Sequence, residues 1–407
     1  MTPDNPTLTT PRAGVPDLVG DDTGLLTLLP RLAADPGPLA VDTERASGYR
    51  YFQRAYLVQF KTQTSGIHLI DPTGLSPAVL AGLASVVNPK QWVLHAASQD
   101  LPCLRDLGLS PHRLFDTELA GRLLGYPRVG LGPLVETTLG LTLAKDHGNS
   151  DWSIRPLPAD WLGYAALDVE LLIDLMTVLA AELADQSKTD WADQEFAHAL
   201  TQSPTPRPDR WRHISDIHVV TSRRGLALVQ AIWQVRDAIA QELDLSPHRV
   251  VNDRAIAAVG AQLKPGAAPD LTRSLTSGGF AGPVARVYRD RWLAAAAAVT
   301  RAPVGELPSL RAAPTTPRPG RSWPRTSPAG QRWSLIRPLI EALATSLNLP
   351  VENLISPQPL AAVLWQPAGL DPASLDAQMA DLDVRAWQRQ LVVPVIAAAL
   401  DPSSRRA

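Results

Sequence analysis

The chain has 407 residues, enough for two or three domains that each bury a core, and its 45% hydrophobic and 19% charged residues describe a globular protein. Its longest apolar stretch, Trp292 to Val299, is far too short to span a bilayer, and the start MTPDNPTLTT lacks the basic and apolar parts of an export signal. A single cysteine, Cys103, excludes an internal disulfide and reads as a buried small hydrophobe, so a cytoplasmic protein is expected.

In chain order, the first twenty residues are rich in Thr, Pro and Asp and are expected to be disordered. A short helix is predicted over 24–34, a buried strand over 38–44, and two further strands of a meander over 56–61 and 66–70. A helix over 76–87, a strand over 92–95, a helix over 99–107 opened by Ser98 and a helix over 116–124 follow. Residues 158–183 place Leu162, Ala165, Val169, Leu172, Met176 and Leu179 along one face of a long predicted helix. The mixed α/β unit so defined covers residues 21–202. A proline-rich linker, 203–210, separates it from a helical domain at 211–300. A second linker, 301–331, carries seven prolines and five arginines with almost nothing apolar to bury, and precedes a third unit at 332–402.

The last two units repeat each other without gaps at an offset of 104 residues: LDLSPHRVVNDRAIAAV (243–259) lies over LNLPVENLISPQPLAAV (347–363). The formal net charge of −2 conceals a segregation in which residues 38–185 carry −5, 207–300 carry +5, 301–332 carry +5 and 333–407 carry −2. An acidic unit binds phosphates poorly unless cations neutralise it, whereas a basic neighbour holds a polyanion by counterion release.

Four carboxylates in the acidic unit ride on separate predicted elements: Asp42 and Glu44 in VDTE, Asp100 in HAASQDL and Asp168 in YAALDV. Asp42 and Glu44, two apart on a strand, leave one face; Tyr164 and Asp168, four apart on a helix, also share a face. Asp100 opens a helix, where it either caps or ligates. Each piece alone fits a solvated strand end, a helix cap or a surface pair. Together they match what a pair of hard divalent cations flanking a phosphate requires, and point to phosphodiester hydrolysis.

Through VDTE, HAASQDLPCL, LFDTELAGRLLGY and LAKDHGNSDWSIRPLPADWLGYAALDV, the chain resembles the DEDD 3′–5′ exonucleases of the tyrosine subclass, bacterial ribonuclease D among them. In the histidine subclass the residue five before the last Asp is His; here it is Gly163, so Tyr164 takes the role. Residues 211–253 resemble the HRDC domain, which the family carries twice; the second copy departs from the pattern, with Ile340-Glu341 where the first has Arg236-Asp237. The resemblance implies a ribonuclease H-like α/β domain with a mixed sheet, followed by two small all-α HRDC-like domains.

It further implies hydrolysis from RNA 3′ ends with release of nucleoside 5′-monophosphates, as in tRNA 3′ processing or turnover of small stable RNA, by a monomer. Two Mg²⁺ or Mn²⁺ ions are implied, held by Asp42, Glu44, Asp100 and Asp168, with Tyr164 orienting the attacking water. Lys145, His147, Trp152 and Arg155 fall in a polar loop that either contacts the terminal nucleotide or bonds internally. Arg223, Arg224 and Arg249 fit phosphate contacts and a solvated helix face equally well. Because the carboxylates do not read a 2′-hydroxyl, a DNA 3′–5′ exonuclease is the nearest alternative. A non-catalytic nucleic-acid scaffold is the other.

Overall fold

The computed structural model describes residues 5–144, 148–203, 209–267, 269–311 and 323–401. The first unit is built on β1 (Thr7–Leu8), β2 (Leu18–Val19), α1 (Asp22–Ala34), β3 (Leu39–Arg45), β4 (Ala55–Thr62), β5 (Gly66–Ile70), α2 (Pro77–Val87) and β6 (Gln91–Leu94). It continues with α3 (Leu101–Asp106), β7 (Arg113–Asp116), α4 (Thr117–Leu124), α5 (Leu131–Leu139), β8 (Thr142–Leu143), α6 (Ala159–Glu170), α7 (Leu172–Asp185) and α8 (Thr189–Thr201). Six strands form one mixed sheet in the order β2-β5-β4-β3-β6-β7. The meander β3-β4-β5 is antiparallel, and β6 joins β3 in parallel. Strand β3 is therefore central, and its Leu39, Ala40 and Val41 are fully buried, which fixes where the residues after them emerge.

Two apolar layers flank this sheet. On one side Leu57, Leu69, Ala165 and Ala166 bring α6 across the meander; on the other, Val58, Phe60 and Ile70 face a larger core with α1, α2 and α7. The predicted helix over 158–183 breaks at Leu171, whose φ of −110° and ψ of 3° end α6. The break lets α6 lie on the meander while α7 packs against β3, β6 and α4. A one-residue kink barely shifts helical phase, so the apolar spacing runs through it unaltered.

Other expectations are corrected. The opening twenty residues hold two strands: Thr7–Leu8 pairs with Thr142–Leu143, and Leu18–Val19 pairs with Leu69–Ile70. Ser98 lies inside a 3₁₀ turn, Ala97–Gln99, and does not cap α3. Strand β7 precedes the predicted helix at 116, because Asp116 ends the strand and also N-caps α4 through Glu118 N at 2.8 Å and Leu119 N at 3.2 Å.

The basic unit contains α9 (Arg223–Leu243), α10 (Pro247–Val250), α11 (Asp253–Gln262), α12 (Leu271–Ser274), α13 (Pro283–Val287) and α14 (Arg289–Arg301). It closes its own core around Leu228, Ile232, Ile239 and Trp292. The last unit contains α15 (Pro328–Ser346), α16 (Val351–Leu354), α17 (Pro357–Trp365), α18 (Pro372–Asp381) and α19 (Ala386–Leu400). Long helix, single turn and second helix recur at the sequence offset, since α10 and α16 begin at 247 and 351.

The last unit shares one continuous core with the sheet-bearing unit. Trp387, fully buried, stacks on Trp191 with ring centroids 4.8 Å apart and donates its Nε1–H to Glu195 Oε1 at 2.9 Å. Lys188 Nζ donates to Leu123 O at 2.7 Å and to Leu347 O at 2.9 Å, so a buried ammonium ties α4 to the end of α15. Gly125 meets Asn348 so closely that a Cβ there would collide with it. The segment before α15 also buries more than its composition suggested: Trp323 is 3% exposed and packs edge-on to Trp333 at 5.6 Å. Truncating Trp387 to Ala is expected to cost about 3–5 kcal/mol of stability, read as a lowered urea midpoint. An unchanged midpoint would contradict the shared core.

Candidate active site

Asp42 and Glu44 leave β3 on the same face, and α6 crosses that face carrying Tyr164 and Asp168. Carboxylate oxygens of Asp42, Glu44 and Asp168 all lie within 4.8 Å of one another. The phenol of Tyr164 hydrogen-bonds Asp168, one helical turn along the same helix. Behind that phenol, the fully buried Trp152 packs against Tyr164 and Trp161 with centroids 6.5 and 5.2 Å away. Trp152 is therefore a wall of the site, without a face open to a base.

Asp100 stands at the start of α3 but does not cap it. Its Oδ1 accepts from the hydroxyl of Thr43 at 2.7 Å, and a guanidinium nitrogen of Arg45 lies 3.6 Å away. Thr43 sits between the two strand carboxylates on the opposite face, so β3 holds Asp42 and Glu44 with one face and anchors Asp100 with the other. A β-bulge between Glu44 and Arg45 redirects Arg45, whose guanidinium also donates to Gln99 O.

The electrostatics follow from this crowding. Burial, then the charges of Asp100, Asp168 and Glu44, hold the Asp42 carboxyl well above the usual range. Glu44 is raised likewise, by burial and then by Asp168 and Asp100. Burial takes Asp100 up to about 6 against the opposing pull of Arg45 and Thr43. Asp168 reaches about 7 for the same reason, with the Tyr164 hydrogen bond opposing. The Tyr164 phenol is also raised, by burial and the adjacent Asp168. Burial and mutual charge therefore oppose ionisation of the whole set, and added positive charge would relieve that opposition.

The donor set fits such charge. Carboxylate oxygens are the ligands that hard divalent cations take. The amide of Gln59, fully buried, has neither of its polar atoms paired, and it stands opposite Asp42 in the β3–β4 ladder, on the same face. Sequence reasoning missed Gln59, Thr43 and Arg45. The lone polar residue in the strand run AYLVQF, and the cation directly after D-x-E, were the available signals.

The remaining candidates separate. Lys145 and His147 lie outside the described residues. Arg155 is spent on structure, donating to Asp71 Oδ2 at 2.5 Å, Asp71 Oδ1 at 2.8 Å and Tyr56 O at 2.8 Å. Arg223 donates to the carbonyls of Leu307 and Pro308, and Arg224 to those of Val299, Thr300 and Ala302 at the end of α14. Arg236 is buried and bound to Val251 O and Asp253. Arg249 is exposed and lines a cleft of about 550 Å³ that also includes Glu44 and Arg45. His95 is a structural group, its Nδ1 2.9 Å from the Thr117 hydroxyl, with burial lowering its pKa to about 4.

Comparison with known proteins agrees with this geometry. A 3′–5′ exonuclease family matches residues 17–184, the HRDC domain family matches 225–295, and a family described as 3′ to 5′ exonuclease C-terminal domain matches 316–400. Ribonuclease D of Acidiphilium cryptum is 36% identical over 314 residues, covering 75% of this chain and 77% of that protein. Ribonuclease D of Jannaschia sp. is 32% identical, covering 80% and 82%. A crystal structure of a protein from Bifidobacterium adolescentis is 35% identical with a TM-score of 0.86, covering 97% of this chain and 99% of that one. Escherichia coli RNase D, at 24% identity and a TM-score of 0.66 over 94% and 98% of the two chains, shares the fold. The chain belongs to the ribonuclease D family of 3′–5′ exoribonucleases.

Proposed function

We propose that the enzyme removes nucleoside 5′-monophosphates one at a time from RNA 3′ ends, using two Mg²⁺ or Mn²⁺ ions. The observation that carries this reading is the convergence of Asp42, Glu44 and Asp168 within 4.8 Å beside Tyr164. Asp42, Glu44 and Asp168 would hold one cation, and Asp42 with Asp100 the other. When bound, such cations lower the pKa of the attacking water and offset charge on the leaving oxygen. Tyr164, its pKa raised, stays protonated at neutral pH and acts as a hydrogen-bond partner that orients the nucleophile, not as a base. Thr43 and Arg45 keep Asp100 facing the site.

The acidic catalytic unit and the basic unit divide the labour of cutting and holding a polyanion. We take the units to be domains at 21–202, 211–300 and 332–402, with the last one bracing the first. We take tRNA precursors and small stable RNA to be its substrates. Among the described residues no helix is long and apolar enough to cross a membrane. We take the enzyme to be a cytoplasmic monomer.

Asp168→Asn is expected to abolish nucleotide release while leaving the circular dichroism spectrum unchanged, and Tyr164→Phe to lower kcat roughly 10²-fold. A chromatographic assay of released monophosphate on matched RNA and DNA oligomers checks both; activity retained in Asp168→Asn, or preference for DNA, would reject the reading.

A second expectation concerns stability. Folded pKa values of about 6 for Asp100 and about 7 for Asp168 lie above the ordinary carboxylate value. The native state therefore binds more protons than the unfolded chain between about pH 4 and 7, and without cations stability falls as pH rises through that window. Asp42→Asn should raise the chelator-treated stability at pH 8 by on the order of 1–3 kcal/mol, read as a higher Tm. At pH 5 it should change Tm little. Equal effects at both pH values would contradict the electrostatic account.

A further inference from the structure

The cleft beside Glu44 is walled by four parts of the chain: the end of β3 with the following residues 47–49, Gln99 in the turn before α3, the segment 148–150 before α6, and the one-turn helix α10 of the basic unit. Its walls include Arg45, Tyr49, Asn149, His248 and Arg249. The placement of α10 there is specific. Asp244, which ends α9, accepts from the backbone N–H groups of Tyr51 and Phe52, each at 3.1 Å. Tyr51 donates its hydroxyl to Asp237 Oδ2 at 3.1 Å, and Ser246 N donates to Tyr49 O at 2.9 Å. The basic unit is thus bolted to the loop that leaves the carboxylate strand.

Two guanidinium groups border the cleft, one of them, Arg249, brought there by this docking. Arg249 donates its Nε–H to Gly48 O at 3.0 Å and lies over the Tyr49 ring, 4.2 Å from its centroid. One nitrogen is used to aim the side chain, which is exposed and lines the cleft. Arg45 enters from the bulge after Glu44 and borders the carboxylates directly. Arg223 and Arg224 do not line this cleft, and donate instead to carbonyls at and beyond the end of α14.

We infer that Arg45 and Arg249 clamp the phosphates of the RNA strand entering this cleft, one from each domain, so that the substrate-binding half of the site is composite. Guanidinium forks match phosphate oxygens in pairs, and an acidic domain needs cationic groups of this kind where the strand approaches its carboxylates. The clamp rests on the cleft being the exoribonuclease site. Arg249 is the member to test, because Arg45 also touches Asp100.

The experiment is steady-state release of monophosphates from a 3′-tailed single-stranded RNA by the full chain and its Arg249→Ala and Arg249→Lys variants, across a series of KCl concentrations. Arg249→Ala should raise KM about five- to tenfold with kcat within about twofold, as expected when one phosphate is deprived of its guanidinium partner. The dependence of log KM on log salt should become shallower by about 0.7 for each phosphate no longer neutralised. Arg249→Lys should regain the salt dependence while recovering KM only in part. Unchanged KM and salt dependence would overturn the clamp. Equal KM increases in both variants with unaltered salt dependence would also overturn it, leaving Arg249 a brace for Gly48 and Tyr49. A wild-type chain that releases no nucleotide would instead remove the exoribonuclease reading, and the clamp with it.

Discussion

Mutual repulsion among buried carboxylates is the constraint on which the rest of this structure depends. Burial opposes ionisation of Asp42, Glu44, Asp100 and Asp168, and the charges of neighbouring carboxylates raise Asp42, Glu44 and Asp168 further. A fold keeps such a site only if the elements carrying it are held by something stronger than the repulsion. The fully buried run Leu39–Val41 anchors β3 between two strands, and α6 is held to the meander by Ala165, Ala166 and Leu57. The opposing groups are local: Thr43 and Arg45 on Asp100, and Tyr164 on Asp168.

That constraint also gives the helical units their places. The C-terminal unit joins the core behind the sheet through Trp387, Trp191 and Lys188, away from the carboxylate face. The basic unit keeps its own core and touches the catalytic unit through the loop after Glu44. One repeat stiffens the scaffold, while the other delivers positive charge to the cleft. Their divergence in charge, +5 for residues 207–300 against −2 for 333–407, follows the same division.

Much of this was legible in the sequence because it is written in local periodicity. Strand spacing put Asp42 and Glu44 on one face, helical spacing joined Tyr164 to Asp168, and the offset of 104 residues aligned α10 with α16. What stayed hidden depends on distant partners. Thr7–Leu8 is a strand only because Thr142–Leu143 lies beside it, and two residues carry no period of their own. The break at Leu171 leaves apolar phase intact. The sequence leaves Trp152 and Arg155 open between nucleotide contact and internal bonding, and the fold decides by burying the indole and committing the guanidinium to Asp71. Gln59 carries meaning only through its cross-strand neighbour Asp42.

The most direct test of the central claim is a calorimetric titration of Mn²⁺ into the chelator-treated full chain and its Asp42→Asn variant at pH 7.5. If the four carboxylates form a site that requires divalent cations, the wild-type chain shows saturable binding that Asp42→Asn weakens at least tenfold, about 1.4 kcal/mol or more. Equal binding by both chains, or none by either, would contradict the account.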